Sequence, residues 1–232
     1  MKPCEQAVEG DEAEAEFPRI PLRLYVEALG AVIGPVLDGR CAFGIVALPI
    51  APPQLHLDRL LGVRMIMAAS PQHPLASFDA PIPAAILAQH VQLVLTDRSD
   101  LSQGKEFAVF SPKTWRLSDL GAKHAFLLAG LNWGGMPFGV IERDITSGRL
   151  LEIKLEDVPT DKYILGMSAA YRTDKPPGRA GRWLIDRLKE DDGRRRFQPV
   201  PSGAATGPKS ASKAGHLARR HKKRVGRDKR GS

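Results

Sequence analysis

The chain has 232 residues, 43% of them hydrophobic, which suffices for one large domain or two small ones around a sizeable core. Two cysteines, Cys4 and Cys41, offer neither a disulfide framework nor a metal spacing, and six histidines form no HExxH or paired zinc motif. The net charge of +8 is segregated: from Gly193 onward 13 Lys or Arg face the single acid Asp228, a net of +12, while the rest carries 21 basic and 25 acidic residues.

The first sixteen residues hold six acids and little apolar besides alanine, so 1–16 is expected to be an acidic, disordered leader or a marginal helix. It lacks an apolar core of the signal-peptide kind. The longest apolar runs are too short and too rich in Pro to cross a membrane, and a reducing cytoplasm is the simplest compartment. "IPLRLYVE" alternates Leu22, Leu24 and Val26 with polar neighbours and predicts a strand. "ALGAVIGPVLDGR" has helical spacing that Gly34-Pro35 should kink or shorten, with Gly39 ending it. "CAFGIVALPI" suits a strand buried on both faces, as in a parallel sheet.

"LGVRMIMAAS" predicts the next strand, and "PAAILAQH" a short helix opened by Pro83. "VQLVLTDRS" reads as a strand entering a polar loop, and "FAVFSPKTWRL" as one or two short strands. Ser118 is placed to cap a helix running to about Ala129, with Gly130 just past its end. In "GLNWGGMPFG", three glycines, Trp133 and Pro137 describe a rigid corner of bare backbone. "GVIERDI" and "GRLLEIKLED" are short strand-like or helical pieces, "YILGMSAAYR" is a strand, and "PPGRAGRWLIDRLKE" is a closing amphipathic helix. Alternation of strand and helix makes the class α/β. Residues 193–232 turn to Gly, Pro, Ala, Ser and Lys/Arg and predict a basic, disordered tail.

The order of these pieces carries a resemblance. "FPRIPLRLYVEALGAVIGPVLDGRCAFGIVALP", "HPLA" at 73–76, "VQLVLTDRS", "TWRLSDLGAKHAFLLAGLNWGGMP", "GRLLEI" and "PGRAGRWLIDRL" follow one another as in the effector (substrate)-binding domain of LysR-type transcriptional regulators. The resemblance spans roughly 17–190. It implies a fold like the type II periplasmic binding proteins, two Rossmann-like subdomains around a cleft. Subdomain I would comprise 17–90 and 172–192 and subdomain II 91–171, with crossings near His90–Leu93 and Ala170–Arg172. The winged helix-turn-helix of the family and the first strand and helix of subdomain I have no counterpart in the sequence, so the expectation is a truncated relative or a fragment of a longer gene product.

By that resemblance Thr96, Arg98 and Ser99 offer hydroxyls, backbone N–H groups and a guanidinium to a carboxylate effector. The bland alternative is a solvated turn in which Asp97 pairs with Arg98. Trp133, Gly134 and Pro137 would line the cleft, with Trp133 as core the competing reading, and Leu48 and Pro49 would form the facing wall. Lys123 and His124 are read as surface and packing residues. No GxSxG elbow, Walker loop or GxGxxG after a strand is present, so no enzyme, cofactor or metal is expected. Implied instead are a cytoplasmic sensor of a small anionic or aromatic metabolite and a homodimer through subdomain I. The alternatives are a solute-binding protein of a transporter, or a non-binding remnant. The cluster Arg219, Arg220, Lys222, Lys223 and Arg224 would hold nucleic acid without sequence preference.

Overall fold

The structure, a computed structural model, describes residues 12–47, 52–99, 107–158 and 163–190. Leu48, Pro49, the first eleven residues and the whole tail, including Arg219, Arg220, Lys222, Lys223 and Arg224, lie outside the described residues. Among the described residues seven strands form one sheet: β1 (Gly44–Val46), β2 (Leu55–Ala69), β3 (Gln92–Leu95), β4 (Thr114–Leu117), β5 (Trp133–Pro137), β6 (Leu151–Ile153) and β7 (Ile164–Arg172). Their order is β1-β7-β2-β5-β3-β4, with β6 also beside β2. Five helices flank them: α1 (Ile33–Leu37), α2 (Ala84–Leu87), α3 (Leu120–Leu128), α4 (Phe138–Thr146) and α5 (Arg179–Glu190). A further helical turn covers 12–16, in line with the marginal-helix reading of the acidic segment.

The fifteen-residue β2 joins two groups of strands. From Leu55 to Arg64 it runs antiparallel to β7, and from Met65 to Ala69 it pairs with β5 and, at its end, with β6. The sequence expectation began this strand six residues later, at Leu61. Leu55 and Leu57, which pack with the α1 core, extend it backwards despite the charges of Asp58 and Arg59.

Partner exchange at Arg64–Met65 is not where crossings were expected, near 90 and 170. β3 instead sits inside the second group, and Leu75, Ile82 and Leu87 share one core with Trp133, Ile153 and Val158. In the first group α1 covers one sheet face through Ile33, Val36 and Ala170, and α5 covers the other through Ile185 and Ala169. Adjacent Ala169 and Ala170 thus serve opposite faces, as a pleated strand requires.

Four local expectations change. The segment 21–28 pairs with no strand, and Leu22, Leu24 and Val26 stand 62%, 79% and 79% exposed. Alternation is necessary for a strand, but a hydrogen-bonding neighbour is also required. β1 is a three-residue edge strand, antiparallel to β7 rather than buried in a parallel sheet. Asp119, not Ser118, caps α3: its carboxylate accepts from the Ala122 N–H at 2.6 Å, and Gly130 follows the helix at φ +77° as expected. Gly34 and Pro35 fall in the first turn of α1, where a missing N–H is harmless, behind a 3-10 turn at Leu29–Val32.

Candidate functional site

The glycine-rich stretch is a central strand rather than a corner. β5 lies between β3, to which it is parallel, and β2. A Cβ on Gly134 would stand 2.6 Å from the Leu93 carbonyl oxygen and 3.1 Å from Lys123 Cε, so the bare position lets β5 lie close to β3 and to the Lys123 stem of α3. Gly135 similarly leaves room for Met67 Sδ. Trp133 opens the strand and is wholly buried among Met67, Leu75 and Ile82. It is core, as the competing reading had it.

Because β3 and β5 are parallel, their carboxyl ends open at the same end of the sheet. Thr96, Asp97, Arg98 and Ser99 leave β3 there. Pro137 ends β5 and stands at the N-cap of α4, whose first N–H groups are not used within the helix. Met65 pairs with Pro137, which brings Arg64 to the same place; its guanidinium lies 4.6 Å over the Phe138 ring and 3.4 Å from Glu152. Trp133 and Gly134 sit at the other end of β5, roughly 13 Å and 10 Å from Pro137 along a strand. Of the expected contacts, the structure brings Thr96, Arg98, Ser99 and Pro137 to one end of the sheet and leaves Trp133 and Gly134 beneath it.

Asp97 ties the two strand groups together. Its carboxylate accepts from Gly30 N–H at 2.9 Å, in the 3-10 turn that precedes α1, and from both N–H and hydroxyl of Ser99 at 2.8 Å. Arg98 turns away from Asp97 and pairs with Glu27 at 2.7 Å. The turn is therefore not a local Asp97–Arg98 pair. It is a joint: Asp97 and Arg98 both reach residues 27–30. The Thr96 N–H donates to Leu117 O at 2.7 Å, which fixes the strand end against β4. Where β2 meets β6, on the side of β2 away from β5, Met65, Met67, Glu152, Lys154, Val158 and Tyr163 line a shallow crevice, and burial pushes the Tyr163 hydroxyl pKa up.

Sequence reasoning missed Lys123. Leu120, Lys123 and Leu127 fall at i, i+3 and i+7 on the sheet-facing side of α3. Lys123 is only 5% exposed, and no described residue forms an ion pair or hydrogen bond with its amine. Burial lowers its pKa to about 8. Its stem lies over Gly134, and the spacing of the apolar residues around it was the available signal. Neighbouring His124 instead faces α4, with Nε2 2.7 Å from the buried Asp144 carboxylate, which also pairs with Arg149. Among the described residues no group of His, Cys, Asp or Glu is placed to hold a metal, and no helix is long and apolar enough to cross a membrane.

A family model for the LysR substrate binding domain matches residues 11–193. Solved structures share the fold. The chain is similar to the regulatory domain of MetR, a LysR family regulator from N. meningitidis, with a TM-score of 0.64, 14% identity, and coverage of 84% of this chain and 92% of that one. The CcmR regulatory domain of Synechocystis PCC6803, solved in complex with 2-PG, gives 0.63 at 15% identity over 80% and 89%. The effector-binding domain of QuiR, solved with shikimate, gives 0.62 at 12% identity over 82% and 91%. No curated protein matches the chain in sequence.

Proposed function

The chain belongs to the LysR substrate-binding domain family, with the α/β fold of the type II periplasmic binding proteins, and from that premise we propose that it senses a small anionic metabolite for a transcriptional regulator in the cytoplasm. The observation that carries this reading is the joint at the carboxyl ends of β3 and β5. Thr96 and Ser99 bring hydroxyls there, Arg64 and Arg98 bring charge, and the amino end of α4 brings unused N–H groups. Hydroxyls, guanidinium and helix N-terminus all favour a carboxylate or phosphate. Shikimate, held by QuiR, is such a carboxylate. The Phe138 ring under Arg64 adds a surface for an aromatic acid.

We divide the fold at the partner exchange of β2. Subdomain I comprises 29–64 and 164–190, and subdomain II comprises 65–158. A ligand touching both Thr96–Ser99 and the Glu27–Gly30 segment would favour the closed arrangement by its differential contacts alone. Trp133 and Gly134 support that site from below instead of touching the ligand. The protein acts as a binder and not as an enzyme, and it self-associates through subdomain I.

Thermal shift against a panel of small carboxylates, phosphorylated acids and aromatic acids tests the reading. A ligand at 100 times its Kd adds about 2.7 kcal/mol of stability. Thr96→Val combined with Ser99→Ala should abolish that shift while leaving the unliganded melting temperature within a few degrees. Absence of any shift across the panel would refute the sensor reading.

A further inference from the structure

The joint already holds one carboxylate, and it is the chain's own. Both oxygens of Asp97 are engaged: Oδ2 accepts from Gly30 N–H at 2.9 Å, and Oδ1 accepts from the N–H and the hydroxyl of Ser99, each at 2.8 Å. Three donors from two segments 67 residues apart therefore converge on one carboxylate. Donor sets of this kind hold a charged carboxylate strongly, whichever molecule supplies it. The Ser99 half alone would be an ordinary turn, in which an Asp side chain reaches two residues on. The Gly30 half is not local. It depends on Leu29, which stands at φ +53°, a left-handed conformation that a residue with a Cβ rarely adopts. Leu29 immediately precedes Gly30, so its backbone angles set where the Gly30 N–H points. Strain of this kind clusters at ligand clamps, where the direction it gives is used.

A carboxylate arriving from outside meets these donors occupied, with a second negative charge beside them. It can take Gly30 and Ser99 only when Asp97 leaves. Arg98, the next residue, meanwhile pairs with Glu27 at 2.7 Å, so residues 97 and 98 together hold the 27–30 segment to the end of β3.

We propose that Asp97 is an internal ligand of the effector site: it fills the donors of Gly30 and Ser99 in the absence of effector, latches residues 27–30 to the end of β3, and is displaced by a carboxylate of the effector. The inference rests on the reading of the joint as the effector site, and it names what the effector carries, a carboxylate able to bridge Gly30 and Ser99. A carboxylate is indicated over a phosphate because the donors converge on the two oxygens of one planar group. Apparent affinity falls in proportion to the fraction of molecules whose donors are open, so the latch sets the concentration at which the sensor responds.

The test removes the internal ligand and supplies an external one, with sodium acetate as the probe. Melting temperatures of the full-length wild type and of Asp97→Ala are read in sodium acetate, in sodium chloride at the same concentration, and in acetamide. Asp97→Ala should melt below the wild type. At ten times its acetate Kd it should rise in acetate by roughly 3–6 °C more than the wild type does. Chloride and acetamide should not reproduce the rise, and adding Ser99→Ala should reduce it. Asp38→Ala removes the same charge from the far end of α1, at an exposed position, and should respond as the wild type does. An equal acetate response in all three proteins, or none in Asp97→Ala, overturns the proposal. Should Asp97→Ala melt too early to follow, Asp97→Ser takes its place under the same criteria, since its hydroxyl keeps a turn and vacates the carboxylate. Either failure leaves the sensor reading standing, because that reading is tested by the response of the wild type to the acid panel. An acetate response confined to Asp97→Ala, with no wild-type response to any acid of the panel, would make Asp97 a permanent plug and refute both.

Discussion

Adding one methyl group to Gly134 tests how β5 is seated. The new Cβ would lie 2.6 Å from the Leu93 carbonyl oxygen and 3.1 Å from Lys123 Cε. The lysine stem is flexible and can yield. The carbonyl oxygen belongs to the neighbouring strand, so relief requires β3 and β5 to move apart where Gln92 pairs with Trp133. Overpacking of this kind costs about 1–3 kcal/mol, and a backbone wall puts it at the upper end. For an ordered body of this size, ~3 kcal/mol corresponds to a melting temperature lower by roughly 6–12 °C. Gly139→Ala is the matched control: it lies inside α4, nothing stands within 4 Å of its added Cβ, and it should gain ~0.4–1 kcal/mol from reduced unfolded-chain entropy. Differential scanning calorimetry of both variants gives opposite signs. Adding Lys123→Ala to Gly134→Ala should recover little, since the hard contact is with Leu93. A Gly134→Ala variant within ~0.5 kcal/mol of the parent would refute the claim that close strand approach requires the bare position.

Two further predictions concern pH. The Lys123 amine, pushed down to about 8 by burial, loses its proton in the folded state before it does in the unfolded chain. Stability should therefore rise between pH 8 and the unfolded value near 10.5, and below pH 8 the charged amine costs the fold on the order of 3 kcal/mol. Lys123→Met should be more stable than the parent at pH 7 and lose that advantage by pH 10; parallel urea midpoints at both pH values would contradict this. His73 is held below its ordinary pKa by burial and then by the charge of His90, whose ring centre lies 5.3 Å away. Its neutral form is the one the fold accommodates, so stability is complete above pH 6.5 and is lost as pH falls through the depressed value. Melting temperatures at pH 7.5 and 5 should show the loss, and His90→Gln should reduce it.

Much of the fold was legible because the relevant signals were local. Gly130 past α3, Pro83 before α2 and the apolar runs of β2, β3 and β7 each follow from propensity or periodicity within a few residues. The errors share a different cause. A strand exists only with a neighbour, and the alternation of Leu22, Leu24 and Val26 says nothing about whether one is present. "WGGMP" has poor strand propensity and forms a strand because two glycines admit Lys123 and Met67 at distances that side chains would forbid. The turn at Thr96–Ser99 was read from its residue types, but its meaning was not: Asp97 and Arg98 reach back 67 and 71 residues to Gly30 and Glu27, and no local window contains those partners.

The same distinction explains why the two charged devices differ in legibility. Segregation of acid and base between the chain ends is visible by counting, but only the fold brings Glu12 to Arg187, 175 residues away. Lys123 presents the reverse case. Its position in a stripe with Leu120 and Leu127 could have been read by spacing alone, and its charge argued against that reading. The structure resolves the conflict through Gly134: a strand position without a side chain gives the aliphatic stem a place to lie, so a lysine occupies a core site largely by its methylene groups. Glycine and lysine at these two positions are therefore one feature. A long stem over a bare strand position substitutes for a medium side chain over a medium side chain. This is why Lys123→Met, which keeps the stem and removes the charge, should stabilise the fold, whereas filling Gly134 should not.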